Sequence, residues 1–457
     1  FALVDGVVEY REIFGWAMFD FANSSYTTII ITVAFSIYFT KFLAAGGRAD
    51  FLWGVTVWTT NVLVLVFSPI VGAIADGSGR KKALLFASYL VCVGGTAALW
   101  FAVPGQVGLA LALLVVSFAA FSFGENLAGA FLPEISTRDN VGRVSAFGWG
   151  IGYLGGLVSL LLVRPLIGGL NLPAEELTAP GNAAAFRDLR LTWVATALFF
   201  LVAGVPTFVF LRERARRVAF GGVGTAARRG VARLRETFAS LGHFAELRRF
   251  LTVFFVYHAA LMAIVAYAGI VYERTFGFTA DQLIVLFLAL QISSAAGAWA
   301  FGFVQDRLGG RRTIQVVLVI WIVACVGAFV AVTKPQAWAI ALAAGLGIGA
   351  LQSASRAVVG LFSPPEKSGE FFGFWGLAAK SAYAVGALLF GAVSSFSGSQ
   401  RVAMLAIGGL FLVGLVAMFG IDEERGRAAA DAWSARLAGR TDPDRGANPL
   451  GGDAPTL

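Results

Sequence analysis

The stretch GAIADGSGRKK, Gly72–Lys82, returns without a gap as GFVQDRLGGRR, Gly302–Arg312. Gly72 falls on Gly302, Asp76 on Asp306, Gly79 on Gly309, and Lys81-Lys82 on Arg311-Arg312. Each copy follows one long apolar run and precedes another, so the same short loop joins two membrane-length helices twice in one chain. A looser echo links LPEISTRDNVGRVSAFGWG, Leu132–Gly150, with PPEKSGEFFGFWG, Pro364–Gly376. Repeats of this kind describe two related halves about an axis along the membrane normal.

The composition agrees. The 457 residues are 58% hydrophobic and 14% charged, with a mean hydropathy of +0.77, where a soluble domain is about half apolar and a quarter charged. The apolar residues fall in runs of the length that crosses about 30 Å of hydrocarbon. Twelve spans are expected, at 13–43, 51–75, 83–103, 107–132, 142–167 and 190–211, then 247–272, 281–304, 313–333, 337–363, 370–395 and 402–421. The fold expected is therefore an all-α polytopic membrane protein. Residues 1–211 form one six-helix bundle, 212–246 a basic linker, 247–421 a second bundle, and 422–457 a disordered tail. The first run is too long, and with Asp20 too polar, for a cleaved signal peptide.

Basic residues orient the chain, because Lys and Arg collect on the cytoplasmic side. Arg212, Arg214, Arg216, Arg217, Arg248 and Arg249 crowd the ends of spans 6 and 7. Both termini and the linker are accordingly assigned to the cytoplasm, in a bacterial inner membrane. Within the linker, Val231, Leu234, Phe238, Leu241, Phe244 and Leu247 recur at helical spacing between arginines, the pattern of an amphipathic helix on a lipid surface.

Four ionisable residues fall well inside spans: Asp20 in span 1, Glu125 in span 4, Arg356 in span 10 and Lys380 in span 11. Each costs about 2.5–3.5 kcal/mol at a helix centre even on the lenient insertion scale, so each must face an interior. Asp20, Asn23, Ser24 and Thr27 share one face of span 1; Ser122, Glu125, Asn126 and Gly129 share one of span 4. Gln352 and Arg356 lie on a small-and-polar stripe of span 10, and Lys380 and Tyr383 on one of span 11. The first half thus supplies acids and the second supplies bases. Carboxylates could carry protons or grip an ammonium group while Arg356 and Lys380 hold an anion. The competing alternative is that Asp20 and Glu125 pair permanently with Arg356 or Lys380 as ties between the halves. His258 in span 7 is either a proton relay or a packed core histidine among Phe254, Phe255, Leu261 and Met262.

The G-x-x-x-D-x-x-G-[RK]-[KR] loop, present twice, resembles the signature loop of the major facilitator superfamily. WAMFDFANSSY (Trp16–Tyr26), NLAGAFLPEIS (Asn126–Ser136) and GRVSAFGWGIGYLGG (Gly142–Gly156) resemble its vacuole-effluxer branch, named for a fungal autophagy-associated exporter of vacuolar amino acids. The resemblance runs from about Glu12 to Gly420. It implies alternating access between two bundles, with spans 1, 4, 7 and 10 lining a central cavity and 2, 5, 8 and 11 completing its walls. It also implies that the loop clasps the outward-facing state against the start of span 11, near Ser368-Gly369-Glu370. Asp76, Arg80, Lys81, Asp306 and Arg311 are then gate residues. A carboxylate such as Asp76 gains about 0.3–1 kcal/mol against a facing helix N-terminus; the plainer alternative is a basic loop that only fixes orientation. Antiporters of the superfamily carry a glycine-proline motif in span 5, and no proline occurs between Gly142 and Arg164.

Other classes lose ground. Two histidines and two cysteines, with no HExxH, no GxSxG and no Gly-Lys dipeptide, give no metal centre, no hydrolase elbow and no phosphate-binding loop. No enzyme activity, cofactor or metal is expected. The arginines flank membrane helices, so lipid headgroups rather than nucleic acid are their expected partners. The expectation is a monomeric secondary transporter moving a small charged or zwitterionic solute, an amino acid or related metabolite, with protons and in the direction of efflux. A broad exporter of drugs or lipid-like amphiphiles, and a sensor built on the same scaffold, stay as alternatives.

Overall fold

The computed structural model describes residues 9–44, 49–137, 139–214, 244–278 and 280–441. The described residues are almost wholly helical and contain no strand. The first half holds α1 (Tyr10–Leu43), α2 (Ala49–Ser78), α3 (Lys81–Ala98), α4 (Val107–Gly129), α5 (Val141–Val163) and α6 (Ala183–Phe210). The second holds α7 (Ala245–Phe276), α8 (Ala280–Leu308), α9 (Gly310–Val330), α10 (Lys334–Phe362), α11 (Ser368–Ser397) and α12 (Gln400–Met418). Eleven helical stretches among the described residues are long and apolar enough to cross a membrane, and α2 carries a shorter apolar run, Thr59–Gly72. These are the two six-helix bundles of the major facilitator fold.

Glycine sets how closely the helices approach. A Cβ at Gly155 of α5 would sit 2.0 Å from the Phe21 carbonyl oxygen of α1, and one at Gly349 of α10 would sit 1.8 Å from that of Ser294 in α8. In a bilayer, where lipid is as apolar as leucine, such backbone contact replaces hydrophobic drive. The duplicated loop has its own need for glycine. Gly79 and Gly309 turn the chain between paired helices at φ +61° and +84°, in the left-handed region where a side chain is strained.

The first span is not one regular helix. It is α-helical over Tyr10–Ser25, then π-helical over Tyr26–Val33 and again over Phe39–Leu43. The wider turns begin directly after the polar face of Asp20, Asn23 and Ser24, and such interruptions collect at functional sites.

Across the halves, α5 packs on α8 and α2 packs on α11. The first and last described residues lie at one end of the molecule, the terminus end, where Arg214 pairs with Glu12 at 2.6 Å and the Asp422 amide donates to Glu246 at 2.9 Å.

The tail corrects the expectation of disorder from residue 422. Glu423–Thr441 forms a helix, α13. It docks on the second half through Trp433, whose ring lies 5.4 Å from Phe244 and 5.1 Å from the Lys367 ammonium. Ser434 donates to Glu366 at 2.9 Å. Most of the linker, with its expected amphipathic helix, and the tail beyond Thr441 lie outside the described residues.

Candidate functional site between the two halves

Arg356 is brought by α10 onto the first half, with its side chain 6% exposed. Its Nη1 donates to Asp20 Oδ2 at 2.6 Å, its Nη2 to the Ser145 carbonyl at 2.8 Å, and its Nε to Ser145 Oγ at 3.3 Å. The guanidinium carbon lies 4.7 Å from the Trp16 ring centre and 5.2 Å from that of Trp149, both within cation–π range. Trp16 is itself pinned, donating from Nε1 to the Ala128 carbonyl at 2.7 Å. Gly148 completes the fit: a Cβ there would meet Arg356 Nη2 at 2.6 Å, Trp16 at 2.7 Å and Asp20 Oδ2 at 2.8 Å. Of the two roles the sequence left open for Asp20 and Arg356, this conformation has them paired, as a buried tie between the halves.

The second pair is different. Lys380 of α11 lies over the rings of Phe118 and Phe121, at 5.3 and 6.0 Å, and within electrostatic reach of Glu125 and His258. Among the described residues it makes no ion pair. Glu125 and Lys380 therefore face a common interior without closing on each other. Elsewhere on α1, α4 and α10, Asn23 Oδ1, Ser122 Oγ and Ser353 Oγ are buried without a hydrogen-bond partner.

The other expected site residues divide. Asn126 is buried and donates to Ser68 Oγ at 2.8 Å, with its amide pressed against Gly376 of α11. Thr27 turns back to the Ser24 carbonyl at 3.2 Å. His258 is 5% exposed, stacks on Phe254 at 4.5 Å, and leaves Nδ1 without a partner, which is the packed-core arrangement. Gln352 and Tyr383 are partly exposed on α10 and α11.

At the terminus end both copies of the duplicated loop reach the opposite half. Asp306 accepts from the Gly142 amide at 2.8 Å and the Arg143 amide at 3.2 Å, and pairs with the Arg143 side chain. A carboxylate thus sits on the N-terminus of α5, the placement the helix dipole favours. In the other copy, Lys81 is 1% exposed and donates from Nζ to Glu134 at 2.8 Å, Ser368 Oγ at 2.6 Å and the Pro365 carbonyl at 3.2 Å. The helices close up at matched points: a Cβ at Gly72 would lie 2.1 Å from the Gly369 carbonyl, and one at Gly302 would lie 2.3 Å from Ala146 Cβ. The side chain of Asp76 lies outside the described residues. Arg80 is exposed, and Arg311 binds its own half, through Glu423 and the Ile421 carbonyl at 3.1 and 3.2 Å.

Sequence reasoning passed over a second repeated set, the acids that hold these loops. Glu213 accepts the Lys81 and Lys82 amides at the start of α3 at 3.1 and 2.8 Å, as Glu423 accepts the Arg311 amide at the start of α9. Burial raises the Glu213 carboxyl above its usual range, against the pull of those two donors. Glu12 in the first turn of α1 receives the Arg212 amide and Arg214, as Glu246 in the first turn of α7 receives the Asp422 amide and Arg425. The signal was available: in each half a Glu stands two residues past the last expected span, at Glu213 and Glu423. Trp16, Ser145, Gly148 and Trp149 were also missed as the surroundings of Arg356, although GRVSAFGWG had been singled out.

The chain resembles proteins of one kind. The family profile described as "Vacuole effluxer Atg22 like" matches residues 54–431. The Bacillus subtilis protein "Uncharacterized MFS-type transporter YxiO" is 26% identical over 414 residues, spanning 90% of this chain and 94% of the relative. The Streptococcus pneumoniae "Multi-drug resistance efflux pump PmrA" is 25% identical over 358 residues, covering 76% and 80%. Among solved structures, the major facilitator superfamily transporter FucP in its outward conformation superposes with a TM-score of 0.68 at 14% identity, covering 89% of this chain and 97% of that one. The fold, the duplicated loop and the matched profile agree, and the chain belongs to the Atg22-like vacuole effluxer family, a branch of the major facilitator superfamily of membrane transporters.

Proposed function

We propose that the protein exports a small charged or zwitterionic solute, an amino acid or a close relative of one, in exchange for or together with protons. It works by alternating access, as a monomer in a bacterial inner membrane with its termini and linker in the cytoplasm. The observation that carries this reading is the Asp20–Arg356 ion pair, 2.6 Å across the interface and shielded from solvent. A buried pair of this kind is costly to break from one side only, at about 3–5 kcal/mol. A proton on Asp20 removes one partner's charge, loosens α10 from α1 and α5, and so links protonation to opening of the cytoplasmic end. Asp306 and Lys81 tie the same end shut in this conformation.

The interior that remains suits a dipolar cargo. Lys380 offers a cation and Glu125 an anion, neither paired with the other. The relative named as an efflux pump supports the outward direction. Reconstituted protein should drive saturable flux of labelled amino acids under an imposed pH gradient, and Asp20→Asn should abolish the gradient dependence while the protein stays folded. Flux unchanged by Asp20→Asn removes the coupling role.

A second reading, broad export of aromatic amphiphiles, draws on the Phe118 and Phe121 rings beside Lys380 and on the relative named as a multidrug pump. Dye efflux that amino acids do not compete away would favour it. Absence of any flux would favour a sensor.

A further inference from the structure

Every contact that grips the Arg356 guanidinium comes from the first half. Trp16 and Asp20 are on α1; Ser145, Gly148 and Trp149 are on α5. Arg356 alone arrives from α10 of the second half. Two aromatic rings lie within cation–π distance of its guanidinium carbon, while a carboxylate, a backbone carbonyl and a hydroxyl take its N–H groups. The clearance that admits it exists because residue 148 has no side chain. A planar fork of donors that stacks on indole is the particular chemistry of guanidinium; a compact, strongly hydrated ammonium matches the same groups poorly.

When the cytoplasmic end opens, α10 must part from α1 and α5, and Arg356 leaves with it. What stays behind is an open slot already shaped for a guanidinium. It lies ten residues into α1, about 15 Å along the helix at 1.5 Å per residue. We propose that this slot is a binding site for the guanidinium group of a solute, such as L-arginine or agmatine, and that Arg356 is its tethered competitor. The cargo then enters the cytoplasm-open cavity by the same contacts that Arg356 makes when the end is shut. This rests on the alternating-access reading above, since the slot is vacant only when α10 has withdrawn. Lys380, by contrast, marks the neighbouring region as one that repels the same cation and would accept a solute carboxylate.

The test is ligand binding to the purified full-length Arg356→Ala variant, in which the slot is emptied permanently. Guanidinium ion, L-arginine and agmatine are titrated by calorimetry and by thermal shift, against L-lysine and cadaverine as ammonium counterparts. The guanidino compounds should bind Arg356→Ala about tenfold more tightly than the wild type and raise its melting temperature, while lysine and cadaverine do neither. Adding Gly148→Ala should cancel the gain. Should Arg356→Ala not fold, Arg356→Gln keeps a neutral hydrogen-bonding side chain and carries the same expectation. Equal response to arginine and lysine, no response in either variant, or a response that survives Gly148→Ala overturns the proposal. Binding is read without flux, so a failure of proton coupling and a failure of this site remain distinct results.

Discussion

A charged side chain in an apolar span is the residue-scale fact from which the function follows. Asp20, Glu125, Arg356 and Lys380 were legible as interior groups because the cost of exposing any of them to lipid is a property of one residue. Which acid meets which base was not legible, because that depends on how α10 lies on α1 and α5. Arg356→Lys keeps the charge but loses the fork to Asp20 and Ser145 and the contact with two indoles. It should weaken closure of the terminus end, seen as faster thiol labelling of cysteines placed there. Gly155→Ala tests packing apart from charge. Its Cβ would lie 2.0 Å from a backbone oxygen that cannot rotate away, so a loss of about 1–3 kcal/mol and a lower melting temperature are expected.

Among the elements, the spans were readable from runs of apolar residues, and their order from the duplicated loop. Two features were not. The π-helical turns after Ser25 leave no mark in an apolar stretch such as TTIIITV, since they answer to the packing of neighbouring helices. The tail helix α13 looked like disorder because the tail is polar and contains Gly and Pro. Its anchors are single residues, Trp433 and Glu423, which only the folded second half makes meaningful. Removing residues 423–457 should therefore lower the thermal stability of the whole protein, because Arg311 loses the carboxylate at its amide and Phe244 loses one of its two ring partners. Glu423→Gln alone should reproduce only part of that loss. A truncation with an unchanged melting curve would show that α13 rests on the bundle without supporting it.

For the molecule as a whole, the two halves repeat their loop contacts as well as their helices. Gly72 meets Gly369 as Gly302 meets Ala146, and Glu213 and Glu423 hold equivalent helix starts. The glycine and aspartate part of this repeat was visible because the loops align without gaps. The acidic part stands just past the last span of each half but escapes a gap-free alignment, because its distance from the duplicated loop differs between the halves. The ties between the halves through Asp20, Lys81, Ser145 and Asp306 lie toward the terminus end, and we propose that this end is a gate that opens as one unit. The most direct test is the distance between spin labels on the two loops, at positions 80 and 312, in protein whose Cys92 and Cys325 have been replaced. The wild type at alkaline pH should give one short distance. Asp20→Asn and Asp306→Asn should each add a longer one, and acidification should move the wild type the same way. A single distance unmoved by either substitution and by pH would contradict the gate, and with it the coupling of Asp20 to transport.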